Sequence, residues 1–148
     1  MTSNYLNSGM TQAECTKHVI EKLEDLIEHF LYNMRRYDVP VTLALIYSKE
    51  NISEQLGKHK RLTDIERYVE LPCGFFSFIF LPFTDSLGTH SFIKSLEKDF
   101  LNKQEHYVTF EELQHENHNT YNFINAFLFN IGEQVTCQGN PSCNLPSA

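Results

Sequence analysis

The chain has 148 residues, 41% of them hydrophobic and 13% aromatic, enough for one ordinary domain with a sizeable core. Its formal net charge of −7 argues against a nucleic-acid binder, which needs a clustered basic face; Arg35-Arg36 and the run from Lys58 to Arg61 are too small to supply one. No apolar run of about 18 residues and no charged leader with an apolar stretch occurs, so neither a membrane span nor a secretory signal is expected, and the simplest placement is cytoplasmic.

Residues 1–10, MTSNYLNSGM, are small and polar without periodicity and read as a flexible tail, with a single domain over 11–133. Thr11 and Glu14 stand at capping-box spacing, and Ile20, Leu23, Ile27, Phe30, Leu31 and Met34 recur at helical intervals, which predicts a long amphipathic helix. That stripe either packs wholly on its own sheet or continues outward as a dimerisation helix. Asp38 and Pro40 end it, because the residue before a proline is pushed out of helical geometry. Val41 to Tyr47 has no strict alternation and reads as a strand buried on both faces. From Ser53 to about Leu62 a short helix is expected, weakened by Gly57 and by few apolar anchors.

Ile65 to Leu71 and Phe75 to Phe83 read as the two arms of a hairpin turning through Pro72-Cys73-Gly74. Thr84-Asp85-Ser86 offers capping side chains for a helix marked by Phe92, Ile93, Leu96 and Phe100. Tyr107 to Phe110 is a short strand. Asn119 or Thr120 caps a last helix with Phe123, Ile124, Phe127, Leu128 and Ile131 on its buried side and Gly132 as its stop. Residues 134–148 read as an irregular tail. The order is helix, strand, weak helix, hairpin, helix, strand, helix. A single mixed sheet carrying helices, with split βαβ connections of the ferredoxin-like type, satisfies these apolar faces and places the chain in the α/β (α+β) class.

Two stretches are similar to a known family. RRYDVPVTLALIYSKEN resembles the passage from first helix to first strand in GGDEF (diguanylate cyclase-like) domains. Asp64-Ile65-Glu66-Arg67, a turn, and an apolar strand leading into Leu81-Pro82-Phe83-Thr84-Asp85 resemble that family's hairpin and its "LP-x-T-D" exit. The likeness covers Thr11 to Gly132 and implies a βααββαβα order with an added N-terminal helix. For an intact member it implies condensation of two GTP molecules into cyclic di-GMP, with carboxylates at the end of the first strand and in the hairpin holding divalent metals against the triphosphate.

Those carboxylates are missing. The strand ends in Tyr47, Ser48 and Lys49, with Glu50 the only nearby acid. The signature falls on Cys73, Gly74, Phe75, Phe76 and Ser77, or one residue later, with one glycine and no acid. No Asp or Glu lies between Leu71 and Asp85. The family's inhibitory product site, R-x-x-D, has Arg67 to Glu70 as an echo. Losing both acidic positions removes the charge that stabilises phosphoryl transfer, which makes a catalytically silent domain the expectation. Tyr47, Ser48, Lys49 and Glu50 remain as residual nucleotide-site positions.

Other constellations are weaker. His106, Glu111, Glu112, His115, Glu116 and His118 form a dense patch in which His115 and His118, at i and i+3, would face a metal together, although a solvated loop is the plainer reading. Cys15, Cys73, Cys137 and Cys143 include one C-x5-C pair that matches no zinc or redox signature, and free thiols are expected. Ser48 and Ser77 lack a G-x-S-x-G setting. The sequence thus points to a non-catalytic GGDEF-like module for protein interaction or regulation in bacterial signalling, with no cofactor and with self-association or a protein partner. Two alternatives stand beside it: a receptor holding GTP or cyclic di-GMP without turnover, and a metal-dependent enzyme built on the His106 to His118 patch.

Overall fold

A computed structural model describes residues 11–71, 74–114 and 116–139. Helix α1 (Gln12–Tyr37) opens on the capping box: the Glu14 N–H donates to the Thr11 hydroxyl (3.1 Å), and the Thr11 N–H donates to the Glu14 carboxylate (2.8 Å). Its buried stripe is Cys15, Val19, Leu23, Ile27, Phe30, Leu31 and Met34, so it packs on its own sheet as the core reading requires. Asp38 closes the helix in the left-handed region and donates its N–H to the Met34 carbonyl (2.9 Å).

Strand β1 (Val41–Ser48) is buried along its whole length, as its unbroken apolar run predicts. Helix α2 (Ser53–His59) is short, with Leu56 as its buried residue. The hairpin follows as β2 (Ile65–Leu71) and β3 (Gly74–Pro82), with Leu71 opposite Gly74; Pro72 and Cys73 lie outside the described residues. Helix α3 (Ser86–Asp99), capped by Asp85, leads to β4 (His106–Glu112) and then α4 (Asn117–Gly139).

The strand order is β2-β3-β1-β4 and all three pairings are antiparallel. A mixed sheet was the expectation. The split βαβ connection accounts for the difference: β1 and β2 run the same way, but β3 inserts between them, and β1 likewise separates β3 from β4. One helix, α2, stands between β1 and β2 where the βααββαβα order has two. The last helix starts earlier than Asn119 and runs through Gly132 to Gly139. An interior glycine costs only about 1 kcal/mol, too little to end a helix by itself.

Alternation along β1 sends Val41, Leu43, Leu45 and Tyr47 towards α1 and α4, and Ala44 and Ile46 towards α2 and α3. The first cluster is the larger and takes in Phe76, Phe78 and Phe80 from β3. There Phe80 stacks on Phe30 of α1 at 4.9 Å between centroids. Asn125 of α4 ties the two helices together by accepting hydrogen bonds from Gln12 (2.7 Å) and from the Thr16 hydroxyl (2.8 Å).

Phe78→Ala, in the centre of this cluster, is expected to lower unfolding free energy by about 3–5 kcal/mol. Urea denaturation followed by circular dichroism reads this directly, and a loss below about 1 kcal/mol would contradict the packing.

Candidate functional site

The β1–β3 register brings together the two segments on which the sequence resemblance depends. Ser48 pairs with Phe75, Tyr47 with Phe76 and Ile46 with Ser77, so the end of β1 lies against the start of the degenerate signature. In an enzyme of the kind the resemblance implies, this is where metal-bearing carboxylates would face the triphosphate. Here aromatic rings fill it. Tyr47 is fully buried, with its ring 5.3 Å from Phe76 and 5.9 Å from Tyr107. Phe75 meets Tyr68 edge to face at 5.8 Å on the other side of the sheet.

Gly74 is needed for this packing. A Cβ there would sit 2.7 Å from the Ser48 carbonyl oxygen and 2.8 Å from the Tyr47 ring, distances no side chain tolerates. The close backbone approach that a glycine permits is therefore taken by the protein's own tyrosine.

The remaining polar groups are satisfied locally. The Ser48 hydroxyl, fully buried, donates to the Glu50 carbonyl (2.7 Å). The Glu50 N–H donates to the Gln104 side chain (2.8 Å), and the Lys49 N–H to the Glu105 carbonyl (3.2 Å). Lys49 and Glu50 are exposed. Glu70, exposed at the neighbouring position on β2, is directly opposite Phe75. No carboxylate is buried here to organise a hard cation. Arg67 and Glu70 separate because residues three apart on a strand face opposite ways: Arg67 donates to the Lys22 carbonyl on α1 (2.9 Å), while Glu70 lies on the α2 side.

Of the histidine patch, His106 is held on β4 by the Gln104 carbonyl (3.0 Å) and the Glu97 carboxylate (3.3 Å). Glu112 accepts from the Ser86 N–H (3.0 Å) and hydroxyl (3.2 Å) at the start of α3. His115, Cys73 and Cys143 lie outside the described residues. His118 and Cys137 fall within α4, where the structure describes the backbone and not these side chains. Among the described residues no group of three or more His, Cys, Asp and Glu converges on a metal-sized space.

The sequence reading missed a second place, at the opposite end of the sheet. Arg61 and Asp64 stand at R-x-x-D spacing just before β2. The Arg61 Nη2 lies 2.7 Å from each of the Asp64 carboxylate, the Pro82 carbonyl and the Thr84 hydroxyl, which clamps the approach to β2 onto the exit of β3. Asp64 is buried and also accepts the Arg61 N–H (2.8 Å). Phe83 turns the chain there with φ 61°, donates its N–H to the Pro40 carbonyl (2.7 Å) and leaves its ring exposed. A left-handed non-glycine residue costs about 1–2 kcal/mol. The LPFTD exit is thus a turn and a cap: Asp85 then accepts the Gly88 N–H (2.9 Å) at the start of α3. Arg61, Asp64, Phe83 and Phe92 line an open cleft of about 420 Å³. The spacing of Arg61 and Asp64 was visible in the sequence, but only the fold places Pro82 and Thr84 beside them.

Glu66 is the carboxylate with a shifted affinity for protons. Half-burial on β2 raises its pKa, Lys60 partly offsets this, and one carboxylate oxygen has no hydrogen-bond partner among the described residues.

No protein-family model matches the chain, and no curated protein matches it. Solved structures do. The chain is similar to PelD 158-CT from Pseudomonas aeruginosa PAO1 at a TM-score of 0.50 and 17% identity, over 78% of this chain and 44% of that one. It is also similar to PelD 156-455 from Pseudomonas aeruginosa PA14 in complex with c-di-GMP, at a TM-score of 0.48 and 19% identity, over 68% and 40% of the two chains. The apo form of that protein gives 0.45 and 18%, over 70% and 40%. The likeness is one of fold, and the chain spans less than half the length of these structures.

Two substitutions check the site. Gly74→Ala is expected to cost about 1–3 kcal/mol of stability through overpacking against Tyr47 and Ser48, measured by urea denaturation; an unchanged midpoint would refute the tight contact. Glu66→Gln should stabilise the protein near neutral pH. A carboxyl whose folded pKa is raised supports the fold at low pH, below its unfolded value, and loses that support as pH rises through the folded value. The gain should therefore vanish on acidification through the ordinary glutamate range, as read from thermal midpoints between pH 4 and 7.

Proposed function

We propose that this chain is a degenerate, non-catalytic GGDEF-like domain that works as a protein-interaction or regulatory module in bacterial signalling. The observation that carries this reading is the packing at the signature: Tyr47, Phe75 and Phe76 occupy the junction of β1 and β3, and the nearby acids Glu50 and Glu70 are both exposed. Condensing two nucleoside triphosphates needs divalent metal held by fixed carboxylates, which neutralises charge developing on the phosphoryl group. An exposed glutamate on a loop and another on an edge strand supply no such preorganised pair. The fold shared with PelD supports the structural side of this reading.

A second reading, a receptor that binds GTP or cyclic di-GMP without turnover, draws support from the cleft beside Arg61. The guanidinium there is paired with Asp64, yet it is half-exposed, and with Phe83 and Phe92 in the same lining the cleft combines N–H donors for a phosphate with apolar surface for a base. PelD 156-455 from PA14 has been solved in complex with c-di-GMP, so that nucleotide belongs in the test beside GTP.

Isothermal titration calorimetry with GTP and then cyclic di-GMP in magnesium, with pyrophosphate assayed in the same samples, separates the readings. The interaction module predicts neither heat nor pyrophosphate. Saturable heat without pyrophosphate, abolished in Arg61→Lys, would establish the receptor, and pyrophosphate release would overturn both.

A further inference from the structure

The sheet has two edges, and their chemistry differs. Backbone directions follow from two hydrogen bonds that continue the ladders: Leu113 N–H to the Val41 carbonyl (2.8 Å), and Phe83 N–H to the Pro40 carbonyl (2.7 Å). Antiparallel pairing alternates strictly, so odd-numbered residues of β1 bond to odd-numbered residues of β4. The N–H and C=O groups of His106, Val108, Phe110 and Glu112 then point away from the sheet, along its free edge. The same alternation on the other side leaves Glu66, Tyr68 and Glu70 of β2 pointing outwards.

Natural edge strands are blunted by charge, proline or bulges. The β2 edge is, through Glu66, Arg67 and Glu70. The central part of β4, Tyr107-Val108-Thr109-Phe110, has none of these and consists of strand-forming residues.

We infer that the β4 edge is the surface on which a second copy of this chain docks, antiparallel, joining two four-stranded sheets into one. A two-fold axis at Thr109 brings Val108 opposite Phe110 of the second copy and His106 opposite Glu112 of the second copy. Each of these pairs is formed by residues with outward-facing backbone groups, so each exchanges two N–H···O=C bonds. In this register an imidazole rather than a second carboxylate stands opposite Glu112, so no like charges meet across the axis. Val108 and Phe110 both pack against the α2–α3 cluster, and pairing them across the axis extends that apolar surface. The same operation on β2, centred on Tyr68, sets Glu66 against Glu70 and opposes acid to acid. Self-pairing is thus favoured at one edge and disfavoured at the other.

The inference deepens the reading of the chain as an interaction module and rests on it, yet it fails separately. Thr109 is half-buried and its backbone groups face β1, so replacing its side chain leaves the monomer's ladder intact. At the axis two copies of residue 109 form a non-hydrogen-bonded pair about 4.5 Å apart between Cα atoms, where like charges repel. Sedimentation velocity on the full chain across a concentration series is expected to show reversible dimerisation. Thr109→Lys alone and Thr109→Glu alone should each weaken it about tenfold, and an equimolar mixture of the two should restore it. A wild type that stays monomeric overturns the edge pairing, as does a dimer that neither variant weakens. Circular dichroism confirms that both variants are folded. The absence of a dimer leaves the calorimetric test untouched, and pyrophosphate release would sink the module reading whatever the oligomeric state.

Discussion

Every other element depends on β1 being sandwiched on both faces and paired on both sides. Its eight residues have no solvent-facing side, so one face must be covered by α1 and α4 and the other by α2 and α3. Its odd-numbered backbone groups bond to β4 and its even-numbered ones to β3, leaving none unsatisfied along its length. A polar side chain in such a strand must find a partner at once. Thr42 donates to the Thr84 carbonyl (2.7 Å) and Ser48 to the Glu50 carbonyl (2.7 Å), and in doing so these residues fix the chain at the two ends of the strand.

That constraint also bears on the junction of β1 and β3, where no carboxylate is buried among the described residues. A metal-dependent site at the end of a central strand needs carboxylates whose desolvation is offset by the cation. Without acids, the cheapest filling for the space is apolar, and rings that bury large areas supply it. Tyr47 lies over Gly74, Phe76 touches Tyr47, and Phe127 of α4 meets Phe76 edge to face at 6.1 Å. An acidic residue introduced at Phe76 would therefore not create a site, because the rings beside it would strand the new charge in a low-dielectric setting.

Most of the fold was legible in the sequence because its signals are periodic and local. The stripe of α1, the capping pairs Thr11–Glu14 and Asp85–Gly88, and the unbroken apolar run of β1 each encode a backbone conformation directly. The errors concern competition between signals. Gly132 reads as a stop, yet one interior glycine costs a helix only about 1 kcal/mol, and the backbone stays helical to Gly139. Strand direction is not a local signal, since no local pattern records which strand is inserted between two others. The site was half legible. The missing carboxylates are plain in Cys73 to Ser77, whereas the Arg61 clamp joins residues 21 apart in the chain and needs the hairpin closed before it exists. Glu66 looks like a solvent-side residue in an alternating strand and is half-buried in the folded chain, which no local pattern records.

The order of strands in space also has a temporal meaning. The β2–β3 hairpin is closed by neighbours in sequence, whereas β4 reaches β1 only after the hairpin and α3 have been traversed. Loop closure makes such distant contacts slow to form. Until β4 pairs, the odd-numbered backbone groups of the fully buried β1 are bare, and any other extended chain can take its place. A chain whose β4 has not yet paired is therefore more exposed to aggregation than the finished domain.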